Sequence, residues 1–116
     1  MKYMMLIYTN ENQETAMSDD ARNQMLAEYG AFSQEAVQRN MLVSADELQP
    51  TSTATTVKVR DGKQLVTDGP FAESVEVLGG YYLLDCKDMD EAIEMAAKIP
   101  GAQHGGIEIR PVVNHG

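Results

Sequence analysis

Leu78-Gly79-Gly80-Tyr81-Tyr82-Leu83-Leu84-Asp85-Cys86 decides the fold. Successive side chains of an extended chain point to opposite faces, and here both sets are apolar: Tyr81 and Leu83 against Tyr82 and Leu84. A strand of this kind sits in the middle of a sheet and is covered on both sides. Downstream, Asp88 caps a helix, with Glu91 in a capping-box position three residues on. Ala92, Ile93, Ala96, Ala97 and Ile99 give that helix an apolar face, and Pro100-Gly101 stops it. After a glycine-rich loop, Ile107, Ile109 and Val112 mark a last strand, with Pro111 pointing to a sheet edge.

Upstream lies Asp68-Gly69-Pro70-Phe71, a loop that follows a hairpin. Asp61-Gly62 joins Val57-Lys58-Val59-Arg60 to Lys63-Gln64-Leu65-Val66-Thr67, and Asp-Gly suits the two positive-φ positions of a tight turn. Thr53 to Val59 is β-branched enough to be a strand, and Met41 to Ala45 is a short one. Ser18 caps a helix that runs to about Asn40, with Asp19 and Asp20 in its first turn. Its Ala21, Met25, Tyr29, Phe32 and Ala36 share one face. Gly30 inside it signals either close packing on the sheet or room for a ligand beside Tyr29. Asn10 to Gln13 reads as a loop, and Tyr3 to Tyr8 is a second strand apolar on both faces.

At 116 residues and without repeats or linkers, the chain is one α+β domain, residues 1–116. Eighteen acidic against nine basic residues give a net charge of −9, which argues against nucleic acid or an anionic membrane as partner. No apolar run reaches bilayer length, the start is too short for a signal peptide, and the lone Cys86 forms no internal disulfide, so a cytoplasmic location is expected. His104 and His115 lie eleven residues apart without suitable neighbours, so no metal is expected; no phosphate loop is present and no cofactor is implied.

The order β-α-β, hairpin, β-α-β is the split βαβ plan of ferredoxin-like domains with an inserted β-hairpin. Its two helices cover one sheet face, while the doubly apolar strands demand cover on both. A second copy packed sheet to sheet, as a two-fold homodimer, meets that demand.

Asp68-Gly69-Pro70-Phe71-Ala72-Glu73 followed by Leu78-Gly79-Gly80-Tyr81-Tyr82 resembles the DGPF branch of the YCII-related (YciI-like) family. So do Lys2 to Tyr8, Thr55 to Lys63 and Ile107 to Val112. The resemblance implies a dimeric α/β-barrel. Members mostly lack an assigned reaction, and some have been labelled transcription-initiation proteins because their genes adjoin those of sigma factors. Better-studied relatives carry a helix histidine paired with an aspartate. That position falls at about Tyr29 here, so the dyad does not carry over.

Asp68 is the candidate acid/base: a carboxylate in a Gly-Pro turn beside Phe71 is either partly desolvated and raised in pKa or an acceptor of turn amides. Gly69 and Pro70 shape its loop. Glu73 pairs with Asp68, pairs with Arg110, or is solvated. Arg110 suits a ligand carboxylate or a salt bridge. Gly79 and Gly80 imply close approach by a ligand, a partner or a bulge. Tyr29 and Tyr81 suit a pocket wall, Tyr82 the core. These residues support a cofactor-independent small-molecule enzyme of isomerase, dehydratase or hydrolase type. A ligand-binding accessory protein of a sigma-factor pathway and a purely structural dimeric module are the alternatives.

Overall fold

Lys2–Asn10 forms strand β1, and a computed structural model describing residues 1–116 sets it inside a four-stranded antiparallel sheet. Two helices follow, α1 over Glu11–Ala16 and α2 over Asp19–Gln38, then β2 over Leu42–Glu47. Thr55–Arg60 (β3) and Lys63–Asp68 (β4) make the hairpin. Glu76–Asp85 is β5, Met89–Lys98 is α3 and Gly106–Pro111 is β6. The sheet order β2-β5-β1-β6 puts both doubly apolar strands in the interior, as the split βαβ plan requires.

Side-chain alternation divides the sheet. Tyr3, Met5, Ile7, Tyr82 and Leu84 are buried together with Phe32 and Ala36 of α2 and Ala92, Met95 and Ala96 of α3. Phe32 meets Tyr82 edge to face at 4.9 Å, and the Tyr82 hydroxyl lies 2.9 Å from Ser33 Oγ. Met4, Leu6, Tyr8, Tyr81 and Leu83 alternate with that set and are only half-buried, on a face no helix covers.

The caps follow local chemistry. Ser18 Oγ accepts from the Ala21 amide at 3.1 Å, and Asp88 Oδ1 accepts from the Glu91 amide at 2.9 Å. Asn40 takes the left-handed conformation, φ 57°, just beyond α2. Three local expectations differ from the structure. Asn10 starts a helix rather than a loop, because its side chain accepts from the Asn12 and Gln13 amides. Gly30 is exposed with open space where its Cβ would be, so it neither packs on the sheet nor makes room for a ligand. On α3, Ile93 is 53% exposed and Ala97 is exposed as well, because Ala92, Met95, Ala96 and Ile99 form the stripe that faces the sheet.

Two irregularities interrupt this plan. Ile7 pairs with Gly80 and Tyr8 with Leu78, so Gly79 is the extra residue of a β-bulge. The hairpin, turning at Asp61 (φ 52°) and Gly62 (φ 73°), is a separate two-stranded sheet and extends away as an arm. It leaves the chain with a radius of gyration of 16.2 Å, against about 13 Å for a compact domain of this length.

Candidate functional site

Although Met25 and Tyr29 share the apolar face of α2, the helix buries fully only Phe32 and Ala36. Its N-terminal half stands off the sheet, and the gap is a cavity of about 450 Å³. The floor is Ile7, Gly79, Gly80 and Tyr82; the roof is Met25, Leu26 and Tyr29; Met17 of the α1–α2 joint and Leu48 to Pro50 close the sides. One carboxylate braces this wall. Glu11 accepts from the Thr51 amide at 2.8 Å and from the Thr51 hydroxyl at 2.5 Å, tying α1 to the turn after β2. Those two bonds hold the Glu11 carboxyl below its usual pKa.

Charge on the rim is one-sided. Glu11, Glu14, Asp46 and Glu47 border the cavity against the single cation Arg22. Arg22 is itself engaged, donating to the Glu14 carbonyl at 3.1 Å and lying 3.7 Å from Asp19. Burial pushes the Tyr29 hydroxyl up to about 12; the Gly101 backbone amide opposes the shift, while Tyr82, Glu14 and Glu47 add to it. Tyr29 is therefore a neutral phenol at physiological pH, able to donate a hydrogen bond to a ligand. The arrangement fits a largely apolar guest with a neutral or cationic polar end.

The sequence candidates divide between two places. Tyr29, Gly79, Gly80 and Tyr81 line the cavity. The Tyr81 hydroxyl turns to the open sheet face and donates to Asp46 at 3.0 Å. Asp68, Gly69, Pro70, Phe71 and Glu73 lie at the base of the arm, outside the cavity lining. Their loop is shaped: Gly69 has φ 104°, its amide donates to the Ala54 carbonyl at 2.8 Å, and its carbonyl accepts from Thr56 Oγ1 at 2.8 Å. Asp68 is exposed, with neither a turn amide nor a charged partner, and Phe71 is 76% exposed beneath Lys58, 5.1 Å from its ring centre. Glu73 pairs with neither Asp68 nor Arg110. Arg110 pairs with Glu108, across the sheet from the cavity.

The YCII-related domain, as a family model, matches residues 1–115. The chain belongs to the YCII-related family. An uncharacterized protein of Rhizobium meliloti (strain 1021) is 34% identical over 114 residues, covering 97% of this chain and 92% of that protein. In this YCII-related protein Tyr29 faces the cavity at about the place where the resemblance expects a histidine. His104 is exposed, and no three His, Cys, Asp or Glu side chains converge as a metal site. Cys86 is buried, and burial pushes its thiol away from the reactive thiolate. No helix is long and apolar enough to cross a membrane.

Sequence reasoning missed the rim. Arg22, Glu14 and Glu47 come from three separate elements and carry no motif. Asn10 followed by Glu11 does carry a cap signal that would have found α1.

Proposed function

We propose that this YCII-related protein is a small-molecule binder that works as a homodimer paired through its open sheet face. The ligand is largely apolar with a neutral or cationic polar end, held in the cavity between α2 and the sheet. The observation that carries the reading is the cavity itself: its volume falls in the usual range for ligand sites, roughly 300–1,000 Å³. Apolar walls, the Tyr29 phenol and four rim carboxylates set its chemistry. The half-buried Met4, Leu6, Tyr81 and Leu83 motivate the dimer.

Turnover without a cofactor, of isomerase, dehydratase or hydrolase type, is the second reading. Tyr29 favours it as a neutral hydrogen-bond donor in the roof of the cavity, able to polarise a bound oxygen. Asp68 serves as its acid/base only if a partner subunit brings it there, since within one chain Asp68 stands outside the lining.

A panel of small aryl and alkyl amines, screened by thermal shift beside their carboxylate isosteres, tests the ligand class. The amines are expected to raise the melting temperature and the carboxylates to leave it unchanged. Tyr29→Phe should weaken the best amine by roughly tenfold, the worth of one buried hydrogen bond. Equal responses to both classes would sink the charge argument. Sedimentation at micromolar concentration tests the dimer, and a monomer there overturns it.

A further inference from the structure

Helix α1 lines the cavity with Glu11, Glu14 and Thr15, yet nothing apolar anchors it. Its residues, Glu11-Asn12-Gln13-Glu14-Thr15-Ala16, bury no side chain, and Ala16, the one apolar residue among them, is exposed. A helix this short is marginal in water and depends on packing for its stability. Both of its ends are extended joints: Asn10 before it has φ −98° and ψ 109°, and Met17 after it has φ −65° and ψ 142°.

Polar bonds hold α1 in place. Most of them are local. The Asn10 side chain caps it, Thr15 Oγ1 donates to the Glu11 carbonyl, and Arg22 in the first turn of α2 donates to the Glu14 carbonyl. The one long-range tie is the Glu11 carboxylate, which accepts from the Thr51 amide and hydroxyl across 40 residues. Thr51 directly follows Leu48 to Pro50, so this clasp joins two sides of the cavity. The sheet beneath is held differently, by the buried Tyr3, Met5, Tyr82 and Leu84. A segment with few buried apolar contacts opens far more readily than such a core.

We propose that α1 is a gate on the cavity, that Glu11 and Thr51 are its clasp, and that the ligand passes when the clasp releases and α1 swings on Asn10 and Met17. The gate carries Glu11 and Glu14, two of the rim carboxylates, so its closure completes the acidic rim. The inference rests on the ligand reading proposed above and adds how that ligand enters and leaves.

Hydrogen exchange in the ligand-free protein tests the gate. The Met17 amide, bonded to the Glu14 carbonyl, and the Thr51 amide should share one opening. That opening should be roughly 100-fold or more in excess of the opening of β5 amides. Thr51→Val should lower protection at Met17 by about tenfold, the worth of one hydrogen bond to a charged group, and leave β5 unchanged. Thr51→Ser keeps the hydroxyl and should match the parent. Met17 protected as strongly as β5, or indifferent to Thr51→Val, overturns the gate.

Stopped-flow binding of 4-phenylbutylamine, read by tyrosine fluorescence, tests the passage. Thr51→Val should raise the association and dissociation rates together by about tenfold and leave Kd within about twofold, as for any step limited by a gate. A rise in dissociation alone, with a weaker Kd, marks a wall that has merely loosened and overturns the gate. Failure of the amine to bind the parent protein overturns the ligand reading instead, and the exchange result then decides the gate by itself.

Discussion

The hydroxyl of Tyr29 meets the backbone of Gly101 so closely that a Cβ on residue 101 would lie 2.8 Å from the phenolic oxygen. Ile7 Cγ2 would be 2.9 Å away on another side. This contact packs the turn after α3 against Tyr29 and Ile7, two residues that line the cavity.

Gly101→Ala therefore overpacks a closed site and should destabilise the fold by about 1–3 kcal/mol. Scanning calorimetry should read a melting temperature lower by several degrees. Tyr29→Phe in the same chain should recover part of the loss, because it removes one of the two clashing atoms. An unchanged melting temperature for Gly101→Ala would show that the turn yields freely.

Tyr29 also sets an alkaline limit. Its hydroxyl is held at about 12 in the fold against an ordinary 10.0. The folded protein then keeps a proton that the unfolded chain releases, so the Tyr29 contribution is complete below pH 10 and declines from there to about pH 12. Urea midpoints taken across that window should fall, and fall less in Tyr29→Phe. Parallel declines in the two proteins would remove Tyr29 from the effect.

Three glycines at strand contacts should rank in cost. A Cβ on Gly105 would overlap the Tyr8 carbonyl, and one on Gly80 would lie 2.9 Å from the Asp46 carbonyl oxygen. One on Gly79 would lie 3.1 Å from the Thr9 hydroxyl, a side chain that can turn aside. Loss of stability on substitution by alanine should run Gly105, then Gly80, then Gly79, with the first two at about 1 kcal/mol or more. Urea denaturation gives the order, and Gly79→Ala as the worst of the three would contradict it.

Glu11→Gln should loosen the cavity wall. The Glu11 carboxyl is held down by its bonds to Thr51, so its support is present above its ordinary value of 4.5 and is lost as the pH falls below it. Protection of the Thr51 amide, read as its exchange rate relative to an unprotected amide at the same pH, should fall in Glu11→Gln at neutral pH, and in the parent protein on acidification. Equal protection in the two proteins at pH 7 would show that Glu11 does not brace this turn.

Much of the fold was legible because its signals are short-range. Asp61-Gly62, Ser18 and Asp88 act within three or four residues, and each stands where the structure uses it. The double apolarity of Tyr3 to Tyr8 and Leu78 to Cys86 was enough to put β1 and β5 inside the sheet. The α1 helix was missed because a polar stretch shows no apolar period. Of the site, Tyr29, Gly79, Gly80 and Tyr81 were legible as aromatic and glycine positions that regular packing does not need. Arg22, Glu14 and Glu47 were not, since each reads as an ordinary solvated charge.

The sequence by itself determined the elements other than α1, their order, the caps of α2 and α3 and the hairpin turn, because backbone bonds and side-chain alternation reach only a few residues. Tertiary structure alone decided that α2 stands off the sheet, that the arm leaves the body, and that Asp68 and Tyr29 lie apart. Those outcomes depend on contacts between distant segments, such as Glu11 with Thr51 across 40 residues and the bulge that sets Gly79 and Gly80 against β1. A local pattern says which side of a helix is apolar; only the assembled chain says how much of that side is covered.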